Sequence, residues 1–134
     1  MKILSVLAAA VLAGCSDDSV YSGGGDPETR RAARAVVRAN LTALARGDAK
    51  TFCGTYTTRF LRTYRDSYAA CLRSFKDPPN PRARAPRIVW GDFLTAGEDK
   101  VDVQLTVDGG ARQSYFLERQ GGRWLIDLET VERE

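Results

Sequence analysis

From Pro27 to Phe75 the apolar positions of the chain recur every three to four residues, and after Pro86 they recur every second residue. The first spacing is that of one helix face and the second that of one sheet face. Asp26-Pro27-Glu28 reads as a helix start, with a capping carboxylate, a proline at the first helical position and an acid in the first turn. Ala33, Val37, Leu41 and Leu44 follow at helical spacing, and Gly47 ends the run. Asp48 is the expected cap of a second helix carrying Phe52, Cys53, Tyr56 and Phe60. Asp66 is the expected cap of a third, through Tyr68, Cys71, Leu72 and Phe75. Asp77-Pro78-Pro79-Asn80-Pro81 forbids further helix and predicts a loop.

Four strands are predicted beyond it: Arg87 to Leu94, Lys100 to Val107, Arg112 to Arg119 and Arg123 to Leu128. Hairpin loops fall at Asp108-Gly109-Gly110 and Gly121-Gly122. The first loop sets Val103 opposite Tyr115 and Val101 opposite Leu117. The second sets Leu117 opposite Ile126 and Tyr115 opposite Leu128. One face then collects Val101, Val103, Leu105, Val107, Tyr115, Leu117, Trp124, Ile126 and Leu128. The other collects Asp102, Gln104, Thr106, Ser114, Glu118 and Asp127, with Phe116 and Leu125 as exceptions. A slip of one residue would bury the charges, so the pattern selects this pairing. The expected fold class is α+β: three N-terminal helices packed on the apolar face of an antiparallel sheet whose other face is wet.

The segment before Asp26 follows neither period. Lys2 gives a positive start, Ile3 to Leu12 are apolar apart from Ser5, and Ala13 and Gly14 are small. Such a run is too short to span a bilayer, which takes roughly 20 residues, and residues 1–14 read as a signal peptide. Leu12-Ala13-Gly14-Cys15 resembles the lipobox of bacterial lipoproteins. The resemblance implies that the Cys15 thiol receives a diacylglyceryl group and that cleavage leaves Cys15 as the first residue. Two acyl chains, unlike one, hold a protein stably on a membrane. Residues 16–25 are polar and glycine-rich, and 15–25 is therefore expected to be a lipidated cysteine and flexible tether, ahead of a domain over 26–131.

Three amphipathic helices before a one-sided antiparallel sheet resemble the nuclear-transport-factor-2-like superfamily, a cone-shaped α+β fold. Val36-Val37-Arg38-Ala39-Asn40-Leu41 through Ala45-Arg46-Gly47-Asp48 is similar to its opening helix and the step into the next, and Gly122-Arg123-Trp124-Leu125-Ile126 to its final strand. Secreted lipoproteins of this type commonly carry two cysteines in the helical half. The resemblance implies that the antiparallel sheet is curved, with the three N-terminal helices on its apolar concave face. It also implies a pocket between the helices and the concave sheet, which enzymes of the superfamily (isomerases, dehydratases, cyclases) line with aspartate, histidine or tyrosine.

Composition narrows the chemistry. The chain has no histidine, which removes the usual general base near neutral pH and the commonest metal ligand; no metal or cofactor is implied. Net charge is +3, and it falls to +2 without Lys2, which gives no footprint for nucleic acid. Arg82, Arg84 and Arg87 read as a solvated loop. Export implies an oxidising compartment, and with Cys15 lipidated an even pair remains. Cys53 and Cys71, on consecutive predicted helices, are expected to form a disulfide, with a reactive thiol or metal site as the rival reading.

No catalytic residue is assigned. The interior face offers Tyr115, with Gln113 and Arg119 near the strand ends, while Asp102, Glu118 and Asp127 point outward. Asp92 is either a general base or simply a turn residue after Gly91. Tyr56, Tyr64, Tyr68 and Trp90, with Tyr115, would line the mouth of a pocket, although the same spacing also fits core packing. The expectation is a lipoprotein on the outer face of the cell membrane, anchored through Cys15. Its domain, non-catalytic, would bind a small apolar ligand or an envelope protein. The alternatives are a small-pocket enzyme of the isomerase, dehydratase or cyclase type, and a structural or assembly role through the sheet face around Phe116 and Leu125, including a homodimer.

Overall fold

The computed structural model describes residues 20–132. Cys15, the apolar run before it and the first part of the expected tether lie outside them. Four helices and five strands follow one another: β1 (Ser22–Gly23), α1 (Pro27–Arg46), α2 (Ala49–Gly54), α3 (Thr58–Tyr64), α4 (Tyr68–Arg73), β2 (Ile88–Ala96), β3 (Lys100–Val107), β4 (Arg112–Gln120) and β5 (Arg123–Val131). The strands form one antiparallel sheet in sequence order. The class is α+β, with one more helix and one more strand than the sequence pattern predicts. Among the described residues no helix is long and apolar enough to cross a membrane.

The start and stop of α1 follow its sequence signals. Asp26 accepts a hydrogen bond from Thr29 N at 2.8 Å, and Gly47 closes the helix with φ 70°, a conformation that favours glycine. Ala33, Val37 and Leu41 are buried as expected, but Leu44 is 52% exposed. The apolar stripe ends one turn before the helix does.

The predicted second helix is two helices. Thr55 to Thr57 leave helical geometry and run beside β5: Ile126 N donates to Thr55 O at 2.7 Å and Thr57 N to Ile126 O at 2.9 Å. This pairing covers the outer edge of β5, which would otherwise expose backbone donors and acceptors. Thr57 then restarts the chain as the cap of α3, with Phe60 N donating to its Oγ1 at 3.0 Å. The cap of α4 is Ser67 rather than Asp66, which sits at φ 70° in the turn before it.

The β3–β4 register is the predicted one, Val101 opposite Leu117 and Val103 opposite Tyr115. Between β4 and β5 the prediction holds only as far as Leu117 opposite Ile126. A β-bulge then adds Asp127 to β5, so Phe116 faces Leu128 and Tyr115 faces Glu129. Leu128, expected on the inner face, moves to the outer one, and Glu129 replaces it inside.

The core lies between the helices and the inner sheet face: Ala33, Val37 and Leu41 of α1, Phe52 of α2, Phe60 and Leu61 of α3, against Val101, Val103, Leu105, Leu117, Trp124 and Ile126. Cys53 and Cys71 are joined as a disulfide with Cα atoms 6.1 Å apart, tying α2 to α4. The outer face is less wet than predicted. Asp102 is buried there beside its ladder partners Leu94 and Phe116, and takes a hydrogen bond from Gln104 Nε2 at 3.0 Å. The end of the expected tether is also built in: Ser22 and Gly23 pair with Thr95 and Leu94, and the Tyr21 ring meets Phe116 edge-on at 5.9 Å.

Candidate functional site

Two consequences of sequence meet at one end of the helix–sheet interior. The break after α2 points Tyr56 inward from the β5 edge, and the bulge turns Glu129 toward it. Tyr56 Oη donates to Glu129 Oε1 at 2.9 Å. Tyr115, directly across the ladder from Glu129, donates to Gln113 Oε1 at 3.0 Å. The other oxygen of Glu129 takes no hydrogen bond from a described residue. Glu129 as a residue is half-buried.

The bulge that creates this arrangement is held from a distance. Asp127, the extra residue, accepts from Thr57 Oγ1 at 2.7 Å and from the Arg59 guanidinium, which also reaches Glu118 at 2.9 Å. Thr57 is 1% exposed while Asp127 is half-buried, so the bond is shielded on the Thr57 side. Thr57 thus caps α3 and pins β5 at once.

Electrostatics distinguish the groups. Burial raises the Glu129 carboxyl above its ordinary range, opposed by the Tyr56 hydrogen bond and the charge of Arg65. Burial, then the neighbouring Glu129 charge, push the Tyr56 and Tyr115 phenols well above theirs. Both tyrosines therefore stay protonated near neutral pH and act as donors. Asn40, 1% exposed on α1, donates to Thr55 Oγ1 at 2.9 Å, and Thr55 in turn donates to Phe52 O at 2.7 Å, which fixes the turn that carries Tyr56.

An aromatic wall extends outward from this pair. Tyr56 stacks on Phe60 at 4.2 Å and meets Phe52 edge-on at 5.2 Å; Phe60 in turn contacts Tyr64 at 4.9 Å. Rings at these separations attract one another beyond their burial. The series is buried from Phe52 through Tyr56 to Phe60, emerges only at Tyr64, and has the Glu129 carboxylate against its inner phenol.

Of the residues predicted to line a pocket, the structure brings Tyr56 and Tyr115 together around Glu129. Tyr64 is exposed, at the outer end of the ring series. Trp90 belongs elsewhere, on β2 between Arg34 and Arg38 of α1. Tyr68 shares a surface groove of about 410 Å³ with Tyr56 and Leu125, beside the disulfide. Asp92 stands exposed at the β2 bulge, where its charge acts on Asp102 and Arg112 rather than on Glu129. Arg119 lies over the Trp124 ring and pairs with Asp99. Phe116 and Leu125 are both half-buried, so neither is an exposed apolar side chain. Among the described residues no three metal-ligating side chains cluster.

Glu129, Arg65, Asn40 and Thr57 were not singled out from sequence. Asn40 had a visible signal, a polar residue seven positions after Ala33 on the apolar stripe of α1. Glu129 had none, because strict alternation from Trp124 turns it outward. No protein-family model, curated protein or solved structure matches the chain.

Proposed function

We propose that this chain is a lipoprotein anchored on the extracytoplasmic face of the cell membrane through a diacylglyceryl group on Cys15, with a nuclear-transport-factor-2-like domain that binds a small, largely apolar ligand. The binding reading rests on one observation: Tyr56, Tyr115 and the half-buried Glu129 converge at the end of an aromatic wall, with one Glu129 oxygen left unbonded by described residues. Ligand sites of this kind are mostly apolar, with a few polar groups that fix orientation. Glu129 would accept a donor from the ligand's polar end. Helices on one face of an antiparallel sheet support the family reading. The Cys53–Cys71 bridge supports export, since disulfides persist in oxidising compartments.

Native mass spectrometry of the chain purified from its own host membranes tests the ligand. A bound small molecule that is lost from Glu129→Gln is expected, since a hydrogen bond to a charged group contributes about 1.5–3 kcal/mol, or at least tenfold in affinity. A chain that always elutes bare refutes the binding reading. The anchor is tested separately, by labelled palmitate incorporated into the parent chain and absent from Cys15→Ser.

A second reading, a small-pocket enzyme, is favoured by the raised carboxyl of Glu129, which moves toward the range a general base needs and has Tyr56 within hydrogen-bond distance. Turnover abolished by Glu129→Gln with retained ligand binding would select it.

A further inference from the structure

On the face of α1 away from Glu129 a different surface is built. Arg30, Arg34 and Arg38 follow one another at intervals of one helical turn, with Arg31 beside them. The guanidinium of Arg30 lies 5.7 Å over the Phe93 ring, that of Arg34 5.1 Å over Trp90, and that of Arg38 5.5 Å over Trp90. Together with Pro27 and Ala35 they border a groove of about 680 Å³. Among the described residues no carboxylate forms an ion pair with any of the four. By contrast Arg59, Arg112 and Arg119 all have acidic partners.

Like charges one helical turn apart repel, so a row of this kind is destabilising unless something compensates it. Arg34 registers the crowding: burial and the charge of Arg30 both disfavour its charged form. Its Nε is buried without an acceptor, and its Nη2 reaches only Gly91 O at 3.4 Å. The rings hold the row in place without neutralising it. What is missing is negative charge.

We propose that the Arg30–Arg31–Arg34–Arg38 row, with Trp90 at its edge, docks the domain on the anionic phospholipid headgroups of the membrane that holds its anchor. The position of the anchor argues for lipid over another polyanion. Cys15 precedes Tyr21 by six residues, a reach of about 20 Å at most. The chain enters the fold at β1, which pairs with β2, the strand that carries Trp90 and Phe93. The basic face therefore lies beside the point where the tether delivers the chain. Half-buried tryptophan and long arginine stems also suit a surface that is apolar beneath and charged above. This inference rests on the anchoring reading, but its test does not use the lipid.

The test is co-sedimentation of residues 16–134, which contain every described helix, strand and core residue, with vesicles of phosphatidylcholine alone or with about one-third phosphatidylglycerol. Binding to the anionic vesicles only, weakened by added salt, is expected. Each basic residue near such a surface contributes about fivefold in partitioning. Arg31→Gln with Arg38→Gln, both exposed positions, should therefore weaken binding about 25-fold, while Arg82→Gln with Arg84→Gln in the proline-rich loop should change it less than twofold. Arg31→Lys with Arg38→Lys should retain most of it. Equal losses in the row and loop variants would mean that net charge alone is read, and would overturn the proposal. So would no difference between the two vesicle types, or tighter, row-dependent binding to a DNA oligonucleotide. Loss of palmitate labelling with row-dependent vesicle binding intact would remove the anchor and leave the surface.

Discussion

The disulfide offers the sharpest quantitative test of how the site is held. Cys53 and Cys71 are 18 residues apart, and the loop they close contains Tyr56, Thr57, Arg59 and Arg65. Cross-linking a loop of that length removes conformational freedom from the unfolded chain amounting to about 3 kcal/mol on the chain-entropy account. For a domain near this size that corresponds to a melting temperature higher by about 12 °C. Reducing the parent chain isolates the cross-link, because every atom except the bond itself remains. Cys53→Ala with Cys71→Ala should cost about 1 kcal/mol more per sulfur, since both side chains are fully buried. Urea unfolding followed by fluorescence reads both, with Trp124, 7% exposed, as the reporter. Reduction should lower the midpoint and raise the denaturant slope, because the reduced unfolded chain exposes more surface. A difference of less than about 1 kcal/mol between oxidised and reduced protein would refute this account. The loop would then be ordered by Asn40, Thr55 and the β5 pairing, with the bridge contributing little.

Thr57→Ala should destabilise by about 2 kcal/mol, since it removes both a helix cap and the half-buried bond to Asp127; Thr57→Ser, which retains the hydroxyl, should stay within about 0.5 kcal/mol in the same urea titration. For Glu129 the sign follows from its raised carboxyl. Protonated Glu129 contributes stability that is fully present below its ordinary value of 4.5 and lost as pH rises through the higher folded value. Glu129→Gln should therefore gain on the parent as pH climbs from 4 to 8. A signed stability difference, Glu129→Gln minus parent, that stays flat or falls across that range in urea titrations would show that the carboxyl is not buried as described.

What was legible in the sequence was local. The cap, proline and terminal glycine of α1 lie within a turn of the ends they define, and they act whatever surrounds them. The first hairpin register followed from a loop of fixed length between strands of clear alternation. Even the bridge between Cys53 and Cys71 could be expected, because close sequence neighbours on packed helices meet easily. The break between α2 and α3 was not legible. Phe52, Cys53, Tyr56 and Phe60 keep helical spacing across it, and the chain leaves the helix only because Ile126, some 70 residues later, offers its backbone as a partner.

The sequence by itself therefore determined the α+β class, the inner faces of β3 and β4 and, through the Leu12-Ala13-Gly14-Cys15 resemblance, the expectation of an anchor. The tertiary structure alone decided the site. A bulge adds one residue, reverses every side chain after it, and is kept in place by Thr57 and Arg59 reaching Asp127 from another element. Alternation within a strand cannot register an interaction of that range. The same limit hid the arginine row, since only the fold shows that its charges have rings beneath them and, among the described residues, no carboxylate in an ion pair with them.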